Sequence, residues 1–216
     1  SYLTQMRLEE FNTHIQHGTL RLAFVGMSNA GKSRRSRVLR DEMDFLWYHV
    51  DEKIQEALGF GTMKKIARWL GYPTNAEYSE HEAQYLALEN IYTKQAAMQT
   101  SGKNLVCDTT GSVIHLKEET LNVLKENCLI VHLDVGEDSL EHMIDEFFRE
   151  PKPVVWCGYF SQKAGESEEK ALRRCYSTLL RERLTRYRKL AHITVPTKTV
   201  YDTTAAQTLD KIRFRL

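Results

Sequence analysis

The chain predicts an α/β fold, a parallel five-stranded sheet held between two layers of helices, and two observations carry that prediction. Apolar runs of strand length alternate with longer segments of helical periodicity, the pattern that winds into a parallel sheet covered on both faces. The first of these runs, Leu20-Arg21-Leu22-Ala23-Phe24-Val25, leads straight into Gly26-Met27-Ser28-Asn29-Ala30-Gly31-Lys32-Ser33, and a helix-compatible stretch over residues 34–44 leaves it. That segment matches G-x-x-x-x-G-K-[ST] in the strand-loop-helix context the motif requires. The architecture expected is therefore a P-loop three-layer α/β/α sandwich with ligands at the carboxyl ends of its strands.

Polyphosphate binding asks for these residue types. Gly26 and Gly31 let the backbone curl until successive N–H groups, running past Asn29 and Ala30 to Arg34, point inward at phosphate oxygens. The helix opening near Lys32 adds its positive end. Lys32 is placed to reach the β- and γ-phosphates of ATP, and the Ser33 hydroxyl to be a Mg²⁺ ligand. The competing reading, a glycine turn that binds nothing, leaves Lys-Ser at this register unexplained.

At 216 residues the chain suits one such domain with a small insertion. Acidic and basic side chains nearly cancel, 29 against 30, for a net charge of +1. Nothing in that balance points to nucleic acid or a charged membrane surface as a partner. Cys107, Cys128, Cys157 and Cys175 lie far apart with no C-x-x-C spacing, so neither a zinc site nor a disulfide framework is expected, and a reducing cytoplasm is the natural setting. No apolar run approaches membrane-spanning length, and the opening residues, with Glu9 and Glu10, do not read as a signal peptide. Oligomeric state leaves no signature.

In chain order, residues 1–18 form a helical appendage, with Leu3, Met6, Leu8, Phe11 and Ile15 as the apolar stripe of a helix over 2–17. The P-loop domain follows over 19–216. Its first strand and phosphate loop lead to a helix over 32–44 and a second strand over 45–50. Short helices at 51–58 and 62–70, separated by Gly59-Phe60-Gly61, precede the turn Gly71-Tyr72-Pro73 and a long helix over 79–100. Together 51–101 make a helical region suited to substrate. A third strand covers 104–108, a fourth 128–135, and a helix 137–148. Pro151, Pro153, Gly158 and Gly165 then break the pattern over 149–165, a cation- and aromatic-rich segment that reads as a lid. A basic helix over 166–190, a final strand over 192–195 and a helix over 204–215 complete the chain.

Phosphoryl transfer needs its phosphates held, its metal anchored by a carboxylate, its acceptor hydroxyl oriented or deprotonated, and cations over the transferring group. Asp108, closing the third strand, is the candidate anchor for Mg²⁺; its alternative is a turn or capping aspartate before Thr109-Thr110-Gly111. Asp51, after the second strand, is within reach of an acceptor hydroxyl; its alternative is an N-cap, and one residue can do both. Lys152, Arg149 and Lys163 lie in the lid segment, where the alternative is a solvated loop. The arginines of the basic helix spread around its axis and most of that charge reads as solvated, His14 and His17 as surface, and Trp47-Tyr48 as core.

With these pieces in order, the chain resembles the shikimate kinase family, within the nucleoside-monophosphate-kinase-like group of P-loop kinases. The resemblance rests on the glycine-lysine-serine loop, on Val50-Asp51-Glu52-Lys53-Ile54 followed by Leu58-Gly59, and on Glu82-x-x-Tyr85-x-x-x-Glu89. It continues through the turn ending in Gly111, the lid with Lys152-Pro153, and Arg183-x-x-x-Tyr187. It implies that Asp51 holds substrate and acts as base, and that Arg183 is a substrate-side arginine. Lys152 falls where the family has a lid arginine contacting ATP and the transferring phosphate, and Lys198 falls near the adenine-contacting turn.

Departures from the family stand beside the matches. His49 replaces the first aspartate of Asp-x-Asp, leaving Asp108 to assist the metal; Leu86 stands in place of the arginine that grips the shikimate carboxylate. Thr109-Thr110-Gly111 replaces a glycine triplet at the substrate, and residues 60–78 are longer than usual. A charged group that loses its buried partner costs roughly 2 to 5 kcal/mol, so shikimate is not the first expectation for the acceptor. The resulting reading is ATP- and Mg²⁺-dependent phosphorylation of a hydroxyl on a small molecule. Its rivals are a true shikimate kinase with altered contacts and a nucleotide-binding regulatory module with weak turnover.

Overall fold

The computed structural model describes residues 6–216. Its centre is an all-parallel sheet of β1 (Arg21–Val25), β2 (Leu46–His49), β3 (Leu105–Asp108), β4 (Leu129–Asp134) and β5 (Ile193–Pro196), in the order β2-β3-β1-β4-β5. The three middle strands are apolar along nearly their whole length because helices cover both faces, and every residue of β3 is buried. Register brings Phe24 beside Asp108 on one side and Val131 on the other, and sets His49 beside Asp108. Since β1 sits between β3 and β4, the chain leaves it at the point where strand order reverses, and a crevice opens above the strand ends.

Helices α1 (Leu8–His17), α2 (Lys32–Met43), α3 (Val50–Leu58), α4 (Met63–Leu70) and α5 (Tyr78–Ala97) occupy the first half. The second half holds α6 (Glu118–Asn127), α7 (Leu140–Arg149), α8 (Glu168–Leu190) and α9 (Ala205–Arg213). Residues Tyr2 and Leu3 of the expected first helix lie outside the described residues. The part described buries Phe11 and is tied to the sheet through Asn104, which donates from Nδ2 to the Ile15 carbonyl at 3.0 Å and accepts from Leu20 N at 2.9 Å. Sequence periodicity assigned no element to α6. It is a ten-residue crossover that buries only Thr120 and Leu124, too narrow a stripe to stand out between two strands. α5 stops at Ala97, and the Arg21 guanidinium accounts for the ending: it takes the carbonyls of Ala97 and Gln99, a cation at the negative end of the helix.

Residues 150–167 carry neither helix nor strand, yet their middle is firmly held. Glu82 Oε2 accepts from the backbone of Trp156 at 3.0 Å and Cys157 at 3.2 Å, while Tyr78 Oη donates to the Val154 carbonyl at 3.2 Å. The Trp156 ring is fully buried against Phe147 and Tyr176. The lid segment expected over 149–165 therefore has a packed waist. Cys107 and Cys128 bring their sulfurs to 4.0 Å, a thiol hydrogen bond and not a disulfide, and all the cysteines are free thiols. Among the described residues no helix is long and apolar enough to cross a membrane.

Candidate functional site

The loop between β1 and α2 is shaped by its glycines. At Gly26, φ is 148° and a Cβ would meet the Leu133 carbonyl oxygen at 2.6 Å, so no side chain fits. Gly31 enters α2 at φ 89°, the left-handed region that glycine adopts freely. Inside the curl the Lys32 ammonium donates to the carbonyls of Gly26 at 2.8 Å and Met27 at 2.7 Å. Burial pushes its pKa down, while Asp108 and then Asp51 pull it back up.

Ser33, the next residue, donates from Oγ to Asp108 Oδ2 at 2.7 Å, and Trp47 Nε1 donates to the same oxygen at 3.1 Å. The hydroxyl at the start of α2 and the carboxylate ending β3 thus meet at the mouth of the phosphate loop. An oxygen pair of this kind fits a hard divalent ion such as Mg²⁺. Among the described residues no group of three or more His, Cys, Asp or Glu side chains forms a metal cluster, so a divalent ion here would share its sphere with ligands from outside the chain.

Beside this loop opens a cavity of about 480 Å³. Its polar floor is Asp51, Thr110, Ser112 and Arg183, its rim carries Arg149 and Lys152, and much of its wall is apolar, including Met63, Met143, Phe147 and Leu180. Asp51 lies in the first turn of α3, where His49 occupies the N-cap position, so the capping alternative for Asp51 does not hold. Burial raises its carboxyl to about 6, helped by the charge of Asp108 and opposed by Lys32 and His49. Arg183 reaches in from α8, buried, and is positioned by donating to the Val155 carbonyl at 2.9 Å and to His115 Nε2 at 3.1 Å. Burial, with Arg183 and Arg186 nearby, drives the His115 pKa down to about 3, so the ring is neutral and able to accept.

Lys32, Asp51, Asp108, Lys152 and Arg183 consequently share one electrostatic neighbourhood. Thr110 and Gly111 line the cavity, and Tyr187 Oη donates to the Gly111 carbonyl. Thr109 does not reach it: its hydroxyl is turned inward onto the Phe24 carbonyl at 2.7 Å, as the β1–β3 register dictates. Ser28 and Asn29 line the cavity on the loop side, whereas Ala30 is buried and its carbonyl accepts from Thr197 Oγ1 at 3.3 Å. Arg34 and Lys198 are exposed on the other flank of the loop. The guanidinium of Arg34 pairs with Asp202 at 2.7 Å and covers the Tyr201 ring, while Lys198 lies in a short 3₁₀ turn after β5. Of the other cations expected in the lid segment, Arg149, which the structure places at the end of α7, reaches the cavity and Lys163 does not.

Glu89 and Trp47 were visible in the sequence, but not the roles they take here. Glu89 is fully buried behind the floor, accepts from Ser112 Oγ at 2.5 Å, and is raised to about 7 by burial, with its Oε2 left unpartnered. Its i+4 relation to Tyr85 on α5 was visible, its partner 23 residues away was not. Trp47, expected as core, packs partly buried against it and also supports Asp108 through its Nε1.

No protein-family model matches the chain, and no curated protein matches it. Solved structures do. A shikimate kinase from Acinetobacter baumannii, in complex with shikimate, superposes with a TM-score of 0.62 at 22% identity, covering 91% of this chain and 93% of that one. The shikimate kinase of Aquifex aeolicus vf5 gives 0.59 at 21% identity over 89% and 96%, and that of Bacteroides thetaiotaomicron 0.59 at 15% over 90% and 95%. The fold is thus the P-loop kinase fold of the shikimate kinases.

Proposed function

We propose that the chain is a small-molecule kinase that transfers the γ-phosphoryl group of ATP, with a divalent cation, to a hydroxyl group of its acceptor. The observation that carries the reading is the junction of two sites: a phosphate loop whose Ser33 meets Asp108 opens directly onto a cavity floored by Asp51 and Arg183. In this reading the loop amides and Lys32 hold the β- and γ-phosphates, and Ser33 and Asp108 hold the metal. Bound there, Mg²⁺ supplies positive charge that offsets the charge on the phosphate oxygens. Asp51 accepts the proton of the acceptor hydroxyl, a role that its raised pKa suits. Arg183 grips the acceptor, and Lys152, with Arg149, approaches the transferring group from the rim. Lys198 and Arg34 are assigned to the adenosine flank.

The acceptor proposed has a hydroxyl at one end and an apolar body, because Met63, Met143, Phe147 and Leu180 wall the cavity. A reducing cytoplasmic setting is consistent with free thiols throughout. The deciding experiment is a coupled ADP-release assay over a panel of hydroxyl metabolites that includes shikimate. ADP release above background with an apolar-bodied alcohol supports the reading, and turnover confined to shikimate replaces the acceptor class. ATP binding without turnover on any compound defeats the enzyme in favour of a nucleotide-binding module.

A further inference from the structure

His49 stands beside the nucleotide site with no part in the reading above. It ends β2 next to Asp108 on β3, and its Nε2 lies 3.4 Å from Ser33 Oγ and 3.6 Å from Asp108 Oδ2, while those two oxygens are 2.7 Å apart. Donors on adjacent corners of an octahedron with metal–ligand bonds of about 2.1 Å stand ~3.0 Å apart, and tetrahedral donors slightly farther. The Ser33–Asp108 separation is shorter than this and the two from His49 are longer, so an ion that drew the three atoms to a common distance would have oxygen, oxygen and nitrogen on one face of its sphere.

The imidazole is also framed as metal-bound imidazoles are. Its Nδ1 lies 3.4 Å from Glu52 Oε2 in the first turn of α3, within reach of the carboxylate that in metal-bound imidazoles sets the tautomer and raises ligand basicity. Trp47 stacks on the ring with centroids 5.0 Å and planes 22° apart, and the same indole anchors Asp108 through its Nε1. One side chain thus orients both prospective ligands. Nε2 itself is within hydrogen-bond distance of Ser33 Oγ and ion-pair distance of Asp108 Oδ2.

We propose that His49 Nε2 is a third protein ligand of the divalent ion that accompanies the nucleotide, and that the site therefore takes a first-row transition ion in preference to Mg²⁺. The inference rests on the kinase reading and refines its metal. Magnesium keeps to oxygen donors and sheds water reluctantly, whereas an imidazole nitrogen favours ions further along the Irving–Williams order. Glu52 is a positioning residue in this scheme, acting through the ring.

The test is pulsed EPR of the Mn²⁺–ADP complex on full-length protein labelled with ¹⁵N at histidine. A ¹⁵N coupling is expected in the native chain and its loss in His49→Asp, with His49→Gln as the second variant should the aspartate fail to fold. In competition titrations Co²⁺ displaces Mg²⁺ from the native ADP complex, and this preference falls at least about tenfold in His49→Asp. Glu52→Gln weakens Co²⁺ binding by roughly tenfold while leaving ADP affinity in EDTA unchanged. Absence of the ¹⁵N coupling in the native chain, or its persistence in His49→Asp, overturns the proposal while ADP binding in EDTA leaves the kinase reading standing. No ADP binding in EDTA or with any ion overturns both.

Discussion

Ser33 on α2 donates to Asp108 at the end of β3 at 2.7 Å, so the phosphate loop and the neighbouring strand are joined through a single hydrogen bond. That bond exists because β1 and β3 pair in a register that sets Phe24 beside Asp108. Asp108→Asn keeps the shape and an oxygen to receive Trp47, so the fold is expected to persist. What it removes is the anionic donor, and metal-dependent ATP affinity is expected to drop by at least about tenfold. Calorimetry with the divalent ion and in EDTA separates the two: equal losses under both conditions would assign Asp108 to loop structure instead.

Lys32 is the loop's only buried cation aimed at its own carbonyls, at 2.7 and 2.8 Å. A ligand at a hundredfold excess over its Kd stabilises a folded protein by about 2.7 kcal/mol. Lys32→Ala is expected to abolish the ATP-dependent rise in Tm, because it removes the charge proposed to meet the β- and γ-phosphates. An undiminished rise would move the nucleotide elsewhere.

The raised carboxyl of Asp51 gives a pH dependence of defined sign. With its pKa lifted to about 6, the group is protonated and unable to act as base at pH 5, so kcat/KM is expected to climb through about pH 6 and level off above it. Asp51→Asn is expected to keep ATP binding and lose at least about 10²-fold in kcat. Since the folded pKa exceeds that of the unfolded chain, the charged form costs stability, and the same variant is expected to raise Tm at pH 8 more than at pH 5. Loss of ATP affinity in Asp51→Asn would make the residue structural.

Most of the sheet and the loop were legible in sequence because they follow local rules: buried strands read as continuous apolar runs, and the phosphate loop has a spaced motif. α6 escaped since its buried stripe is just Thr120 and Leu124. The inward turn of Thr109 depends on the pairing of β1 with β3, a contact 85 positions apart that no local pattern encodes. The same holds for the packed waist of the 150–167 segment, held by Glu82 and Tyr78 from α5, each more than 70 positions away. His49 was recognisable as a departure from the resembled pattern, but only the adjacency of β2 and β3 sets its Nε2 beside Ser33 and Asp108.

Glu89 offers a stability signature independent of catalysis. It is wholly buried on α5, with one oxygen taken by Ser112 and the other without a partner, and its pKa is raised to about 7 against an ordinary 4.5. Between those two values the folded chain holds a proton the unfolded chain has released, so stability falls as pH rises across that window and is flat above it. Neutralising the side chain at the same volume, as Glu89→Gln does, removes the deprotonation penalty. The variant is expected to gain stability over the native protein at pH 8 and to lose that advantage near pH 5, with the crossover visible in Tm measured at half-unit steps. Asp51 titrates lower, from an ordinary 3.8 to about 6, so the segment between pH 6 and 7 isolates Glu89. Parallel Tm curves for the two proteins through that segment would show that the buried carboxyl keeps its charge, stabilised by Ser112 more strongly than burial opposes it.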